Sequence, residues 1–179
     1  MAEDRETGDE AGPPGADALT KMTRVSQARS LAGDAPCVVA ENMDLTDVAR
    51  QMWQRREVRT AAVVDNEGRL VGIIPQRLLL DELYLRVVPE EFISDVLESE
   101  GMEEVGKMVT AVTAGELMEP PVYVALDDTI KDAFGRMHDH KLEGLPIVDE
   151  VMRPVGYLDR FQLLEVWIRE HRPPGSGST

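Results

Sequence analysis

The chain of 179 residues carries an internal repeat. Residues 36–52, PCVVAENMDLTDVARQM, align with residues 121–137, PVYVALDDTIKDAFGRM, at an offset of 85. That register pairs Pro36 with Pro121, Val39 with Val124, Leu45 with Ile130, Asp47 with Asp132 and Met52 with Met137. Further on, RTAAVVDNEGRLVGII (59–74) aligns with EGLPIVDEVMRPVGYL (143–158) at an offset of 84. Val64 then matches Val148, Asp65 Asp149, Val71 Val155 and Gly72 Gly156, so the first copy holds one extra residue between Met52 and Val58. A period this long exceeds the roughly 20–50 residues of solenoid repeats. The chain therefore reads as two copies of one small domain.

Each copy has the same order of elements. A short β-branched or aromatic run, Cys37–Val39 or Val122–Val124, predicts a strand. Asp44 and Thr129 then stand as N-caps, each with an Asp three residues on, in an approximate capping box. Leu45, Val48, Ala49, Met52 and Trp53 fall at helical spacing, as do Ile130, Ala133, Phe134 and Met137. Two strands around a polar turn follow: Ala61–Val64 and Leu70–Ile74, then Leu145–Val148 and Val155–Leu158. Their continuous apolar runs predict sheets covered by helices. A closing helix ends each copy, over Arg77–Tyr84 and Phe161–His171. The fold class is α/β (α+β).

Charge sets further limits. With 34 acids against 19 bases the net charge is −15, which argues against nucleic acid as a partner. The excess is concentrated: −5 over residues 1–17 and −8 over residues 81–104, with +2 and −4 over residues 18–80 and 105–179. One cysteine, Cys37, excludes an internal disulfide and a Cys-rich zinc site. The sequence shows neither a signal-peptide pattern nor an apolar run long enough to span a membrane, so a cytoplasmic location is expected. The organisation reads as a disordered acidic tail (1–18), a first domain (19–84), an acidic helical connector (85–110), a second domain (111–172) and a disordered tail (173–179).

The repeated strand–helix–strand–strand–helix pattern resembles a tandem cystathionine-beta-synthase (CBS) domain pair, the Bateman module. The residues that carry the resemblance are Met137-His-Asp-His-Lys-Leu-Glu-Gly-Leu-Pro-Ile-Val-Asp149 with Pro154-Val-Gly156, and Val58-Arg-Thr-Ala-Ala-Val-Val-Asp65 with Leu70-Val-Gly72. The first copy lacks the Gly-Leu-Pro portion, reading Thr60-Ala61-Ala62. The resemblance implies a non-catalytic regulatory module: two copies packed sheet to sheet about a pseudo-twofold axis, with two clefts that in the family often bind AMP, ADP, ATP or S-adenosylmethionine. By the same resemblance, ligand contacts would come from Val38, Val39, Thr60, Ala61, Ala62, Pro75 and Arg77, and from Tyr123, Val124, Gly144, Leu145, Pro146, Asp159, Arg160 and Gln162.

Nucleotide-binding members read Gly-x-x-Thr/Ser-x-x-Asp/Asn after the last strand, and this chain departs from that in both copies. Counting from Gly72, the hydroxyl and acid positions hold Pro75 and Leu78; counting from Gly156, they hold Asp159 and Gln162. Asp159 is a carboxylate where phosphate would sit, and suits an N-cap better. The Pro75 cleft is thus the expected binder, with Arg55, Arg56, Arg59 and Arg77 available for phosphate, and Leu78→Asp is expected to tighten AMP. The competing reading is an assembly module with empty clefts. In either reading a homodimer is expected from the apolar helix faces around Trp53 and Trp167, and an effector protein could dock on the acidic 81–108 segment.

Other candidates have plainer explanations. His138 and His140, at i and i+2, do not share a helix face. Cys37 has no histidine nearby in sequence and reads as a buried hydrophobe. Asp127 and Asp128 suit a helix start. Neither a phosphate loop nor a catalytic triad spacing is present, and no metal site or enzyme activity is expected.

Overall fold

A computed structural model describes residues 20–28, 35–87 and 111–170. The expected acidic tail and C-terminal tail, and the connector from residue 88 to 110, lie outside the described residues. Copy one contains β1 (Cys37–Ala40), α1 (Leu45–Gln54), β2 (Thr60–Val64), β3 (Leu70–Pro75) and α2 (Gln76–Val87). A short helix α3 (Ala114–Leu117) precedes copy two, which contains β4 (Val124–Ala125), α4 (Ile130–Asp139), β5 (Gly144–Val148), β6 (Pro154–Asp159) and α5 (Arg160–Glu170). Each copy forms one three-stranded sheet, β1-β2-β3 or β4-β5-β6, with the first pair parallel and the second antiparallel.

The helices form where spacing and caps dictate. Asp44 accepts from the Thr46 N–H at 2.7 Å, while Leu45, Val48 and Met52 bury one face of α1. Thr129 and Asp132 complete a reciprocal capping box at α4, whose Ile130, Ala133 and Met137 are buried. Among the described residues Asp47 makes no return bond to Asp44 and pairs with Arg50 instead. The cap bonds hold the Asp44 carboxyl below its ordinary range through the Thr46 N–H, and Asp132 through the Thr129 hydroxyl.

One strand departs from expectation. The run Val122–Val124 predicts a strand, yet β4 is only Val124–Ala125. The register pairs Val124 with Ile147, which would place Tyr123 against Pro146. Proline has no N–H to give the ladder. The Tyr123 carbonyl instead accepts from Arg136 at 2.7 Å. Copy one has Ala62 at the corresponding place, and β1 runs its full four residues.

The copies meet along β2 and β5. The Thr60 hydroxyl donates to the Gly144 carbonyl at 2.9 Å. Those two residues are equivalent in the repeat, so the pseudo-twofold axis passes between them. Next to this contact Tyr157 is fully buried, and its hydroxyl accepts from the Arg59 N–H at 2.9 Å. Burial pushes the Tyr157 phenol up to about 12. A Cβ at Gly144 would come within 2.3 Å of the Tyr157 hydroxyl, so only glycine fits there.

Each copy is also sealed by the segment that precedes the other. Residues 20–28 lie on copy two: Ile130 N–H donates to Thr23, Val25 N–H to Asp128 and Ser26 N–H to Leu126. Residues 111–119 lie on copy one through the matching bonds, Leu45 to Val112, Ala114 to Met43 and Gly115 to Glu41. Val25 and Ala28 belong to the core of copy two, and Ala111, Ala114 and Leu117 to that of copy one. These two straps repeat at an offset of 89, from Thr23 to Val112, a register different from that of the domains they cover.

Candidate functional site

Beside the β2–β5 contact lies a cleft of about 330 Å³. Copy one supplies Arg59, Thr60, Pro75, Gln76, Arg77 and Leu80, and copy two supplies Lys141, Leu142 and Glu143. Arg59 and Thr60 stand at the entry to β2, and Pro75 ends β3. Gln76 and Arg77 form the first turn of α2, which positions them by helix geometry rather than by a loop. Gln76 accepts from the Arg59 guanidinium at 2.8 Å, and Arg77 pairs with Glu119 of the copy-one strap at 3.0 Å. Within copy two, Glu143 pairs with Arg160 at 3.7 Å. Counting the lining residues with these partners, Arg59, Arg77, Lys141 and Arg160 face Glu143 and Glu119, two more cations than anions.

The residues equivalent to this lining on the other side of the axis have different chemistry. Asp159 and Gln162 form a closed reciprocal pair: the Asp159 N–H donates to Gln162 Oε1 at 2.9 Å, and the Gln162 N–H to Asp159 Oδ1 at 2.8 Å. This is a helix cap for α5, and it engages one oxygen of each of the two side chains that the sequence offers to a ribose or phosphate. Arg160 also reaches the Met137 carbonyl at 3.3 Å.

The expected site residues therefore separate. Thr60, Pro75 and Arg77 line the cleft; Asp159, Arg160 and Gln162 lie together at the start of α5. Val39, Ala61, Ala62, Val124, Gly144, Leu145 and Pro146 are buried within the sheets and cores. Val38 sits on the outer strand β1 and Tyr123 just before β4, both outside the cleft lining, with the Arg136 guanidinium 6.0 Å from the Tyr123 ring. Two of the four expected arginines are used elsewhere. Arg55 donates to the carbonyls of Ala35 at 3.1 Å and Pro36 at 2.6 Å, and Arg56 lies 4.3 Å above the Trp53 ring. Leu78 is buried in the core of copy one, so an acid there would face that core, contrary to the expectation that it restores a ribose contact. The sequence reading missed Lys141 and Glu143. The 84-residue register, which pairs Arg59 with Glu143, could have found Glu143.

A second concavity, an apolar groove of about 320 Å³, runs between α1 and α2 and includes Met52, Trp53, Val58, Leu79, Leu80 and Leu83. Trp53 is 69% exposed on its rim. On the matching face of copy two, Phe134, Phe161, Leu164 and Ile168 are exposed, Phe161 to 82%. His138 stacks on Phe134 at 6.4 Å. Among the described residues no group of His, Cys, Asp and Glu could hold a metal ion, and no helix is long and apolar enough to cross a membrane. Cys37 is buried and its thiol is raised by burial.

Comparison with known proteins gives a consistent picture. The family model described as CBS domain matches residues 28–85 and 114–169. An uncharacterised protein of Methanocaldococcus jannaschii is 30% identical over 156 residues, 74% of this chain and 86% of that protein. The crystal structure of a CBS domain-containing protein from Thermotoga maritima superposes with a TM-score of 0.65 at 26% identity, covering 85% of this chain and 98% of that one. The cytosolic domain of the Mg2+ channel MgtE in complex with ATP superposes with a TM-score of 0.52 at 25% identity, covering 74% of this chain and 45% of that one.

Proposed function

The chain belongs to the CBS domain family, and from that premise we propose that it is a non-catalytic regulatory module that binds a small anionic ligand of the adenosyl-nucleotide class between its two copies. The observation that carries this reading is the inter-copy cleft with two more cations than anions. Its volume suits a small molecule, and the related MgtE cytosolic domain holds ATP. Because both copies contribute lining residues, an occupant favours one relative tilt of the copies, and that tilt is the signal. Output passes through homodimerisation on the exposed helix faces, or through an effector protein on the acidic 81–108 segment.

The test is thermal unfolding of the purified chain with AMP, ADP, ATP and S-adenosylmethionine in turn. A ligand at 100 times its dissociation constant adds about 2.7 kcal/mol of stability, equivalent to a rise of about 5 °C or more. No shift from any of them at millimolar concentration overturns the reading. The alternative, an assembly module with empty clefts, is favoured by the closed Asp159–Gln162 cap and by the exposed Trp53 and Phe161. Sedimentation separates it from the first: this alternative requires a dimer at micromolar concentration that no ligand alters.

A further inference from the structure

We infer that the last turn of α2 and the strap over copy one form a conformational coupling device. A buried Glu82–Arg86 clasp ties residues 111–119 to the end of α2, and changes in the clasp pass along the strap to Arg77 in the cleft. The first observation is a misfit in the core. Glu82 is 0% exposed, at a position where the 84-residue register puts Val166 in copy two. Its Oε1 accepts from Arg86 Nε at 3.1 Å and from Arg86 Nη2 at 2.9 Å. Its Oε2 is, among the described residues, the one buried side-chain oxygen or nitrogen without a hydrogen-bond partner. A buried ion pair with an unsatisfied oxygen adds little stability over apolar side chains of like volume. The core of copy one does not need the clasp.

What the clasp holds is the strap. Arg86 also donates from Nη2 to the Ala111 carbonyl, so one guanidinium joins the last turn of α2 to the first residue of the strap. At the far end, Glu119 exchanges two backbone hydrogen bonds with Ile73 of β3, at 3.0 and 2.9 Å, and pairs with Arg77. The two ends of the strap are thus fixed to the two ends of α2. Between them the Ala114 and Gly115 N–H groups donate to Met43 and Glu41, and α3 stiffens the segment, so the strap moves as one piece. Copy two has neither fixture, because Arg77 and Arg86 correspond there to Phe161 and Glu170. The Arg86 side chain is 34% exposed and has two arrangements, on the Ala111 carbonyl or turned to solvent. A partner on the acidic segment that draws Arg86 outward loosens the strap, and with it the hold of Glu119 on Arg77. Linkage makes the effect reciprocal: an anion that takes Arg77 from Glu119 loosens the clasp. The coupling does not depend on which anion that is.

The experiment alters each end of the strap and reads the other, on the full chain without ligand. Glu82→Met combined with Arg86→Met removes the clasp and fills its volume, while Glu119→Gln removes the ion pair at the cleft. Amide hydrogen exchange reads Ala114 and Gly115, and mass spectrometry reads the rate at which phenylglyoxal modifies Arg77. The double variant should keep the wild-type melting temperature, speed exchange at Ala114 and Gly115 by about tenfold, and raise Arg77 modification severalfold. Glu119→Gln should speed the same two amides by about threefold, as loss of a partly solvated pair allows. In both, the Val25 and Ser26 amides on copy two should exchange as in the wild type. Effects confined to the altered end overturn the coupling. A fall in melting temperature with equal acceleration at Val25 and Ser26 marks a merely structural pair and overturns it as well. If the double variant does not fold, Glu119→Gln alone decides, and unchanged exchange at Ala114 and Gly115 overturns the proposal. None of these readings involves a nucleotide, so they stand or fall apart from the ligand assigned to the cleft.

Discussion

Copies one and two share a backbone plan and differ most at the turn from third strand to second helix. In copy one that turn is Pro75-Gln76-Arg77, with Leu78 folded into the core; in copy two it is Asp159-Arg160-Phe161, with Gln162 locked to Asp159. The first arrangement leaves a cation facing an open cleft. The second spends its polar groups on capping its own helix. A duplicated site can thus diverge without any change of topology, by shifting which neighbour satisfies the first turn of one helix. Sequence similarity ranks the copies the other way. Copy two carries the fuller Gly-Leu-Pro motif, yet its proline shortens β4, and copy one makes the longer parallel pairing.

The same substitution at equivalent positions gives the sharpest test. Leu78→Asp places a carboxylate in the core of copy one and should cost about 3 kcal/mol or more. Gln162→Asp, at the half-buried cap, should cost about 1 kcal/mol or less. Urea denaturation of the two variants reads the difference, and equal losses would mean that the two turns are not as different as described. Next in size is Tyr157→Phe, which strands the Arg59 N–H beside the axis and should cost about 1–2 kcal/mol. Its copy-one counterpart Ile73 is fully buried and has no such polar duty, so Ile73→Val should lose only packing, about 1 kcal/mol. A smaller effect is expected at the polar turns. Gly68, at φ 78°, has nothing within 4 Å of a Cβ, so Gly68→Ala should cost about 1 kcal/mol through the backbone alone.

The smallest effect per group comes from pH. Asp44 in copy one and Asp132 in copy two have carboxyls lowered from their ordinary value of 3.8 by the caps they make. Asp65 and Glu116 are lowered by backbone N–H groups as well. A carboxyl lowered in the folded state binds fewer protons there than in the unfolded chain. Its contribution is complete above the unfolded value and is lost as pH falls through the folded one. Stability should therefore hold near neutrality and decline below about pH 4. Asp44→Asn and Asp132→Asn together should flatten that decline in thermal melts taken at successive pH values.

The elements of each copy were legible because their apolar residues recur at fixed spacings and their caps precede them. The Asp159 cap was legible for the same reason. Three features were not. The straps lie at a different offset from the domains, and match by burial, Val25 with Ala114, rather than by identity. The shortening of β4 depends on register, since Pro146 is harmless until Tyr123 is set against it. Lys141 was missed because the cleft it lines has its other wall in the copy opposite, which residue type does not reveal. Arg55 and Arg56 were misplaced because a basic cluster in sequence need not share a face: a carbonyl pair takes one and an indole ring the other.

The exchange of straps also sets a timetable for synthesis. Copy one can complete its sheet early, but Leu45 and Gly115 cannot make their bonds until residues 111–119 have been made. At ~5–20 residues per second, the first sheet waits on the order of several seconds with one side of its core open to solvent. The opening segment, residues 20–28, waits longer still, because its docking surface lies in copy two, which is translated after copy one and its strap. A chain that ends between the copies therefore lacks the strap that seals copy one, and only a chain that runs through both copies can close both cores.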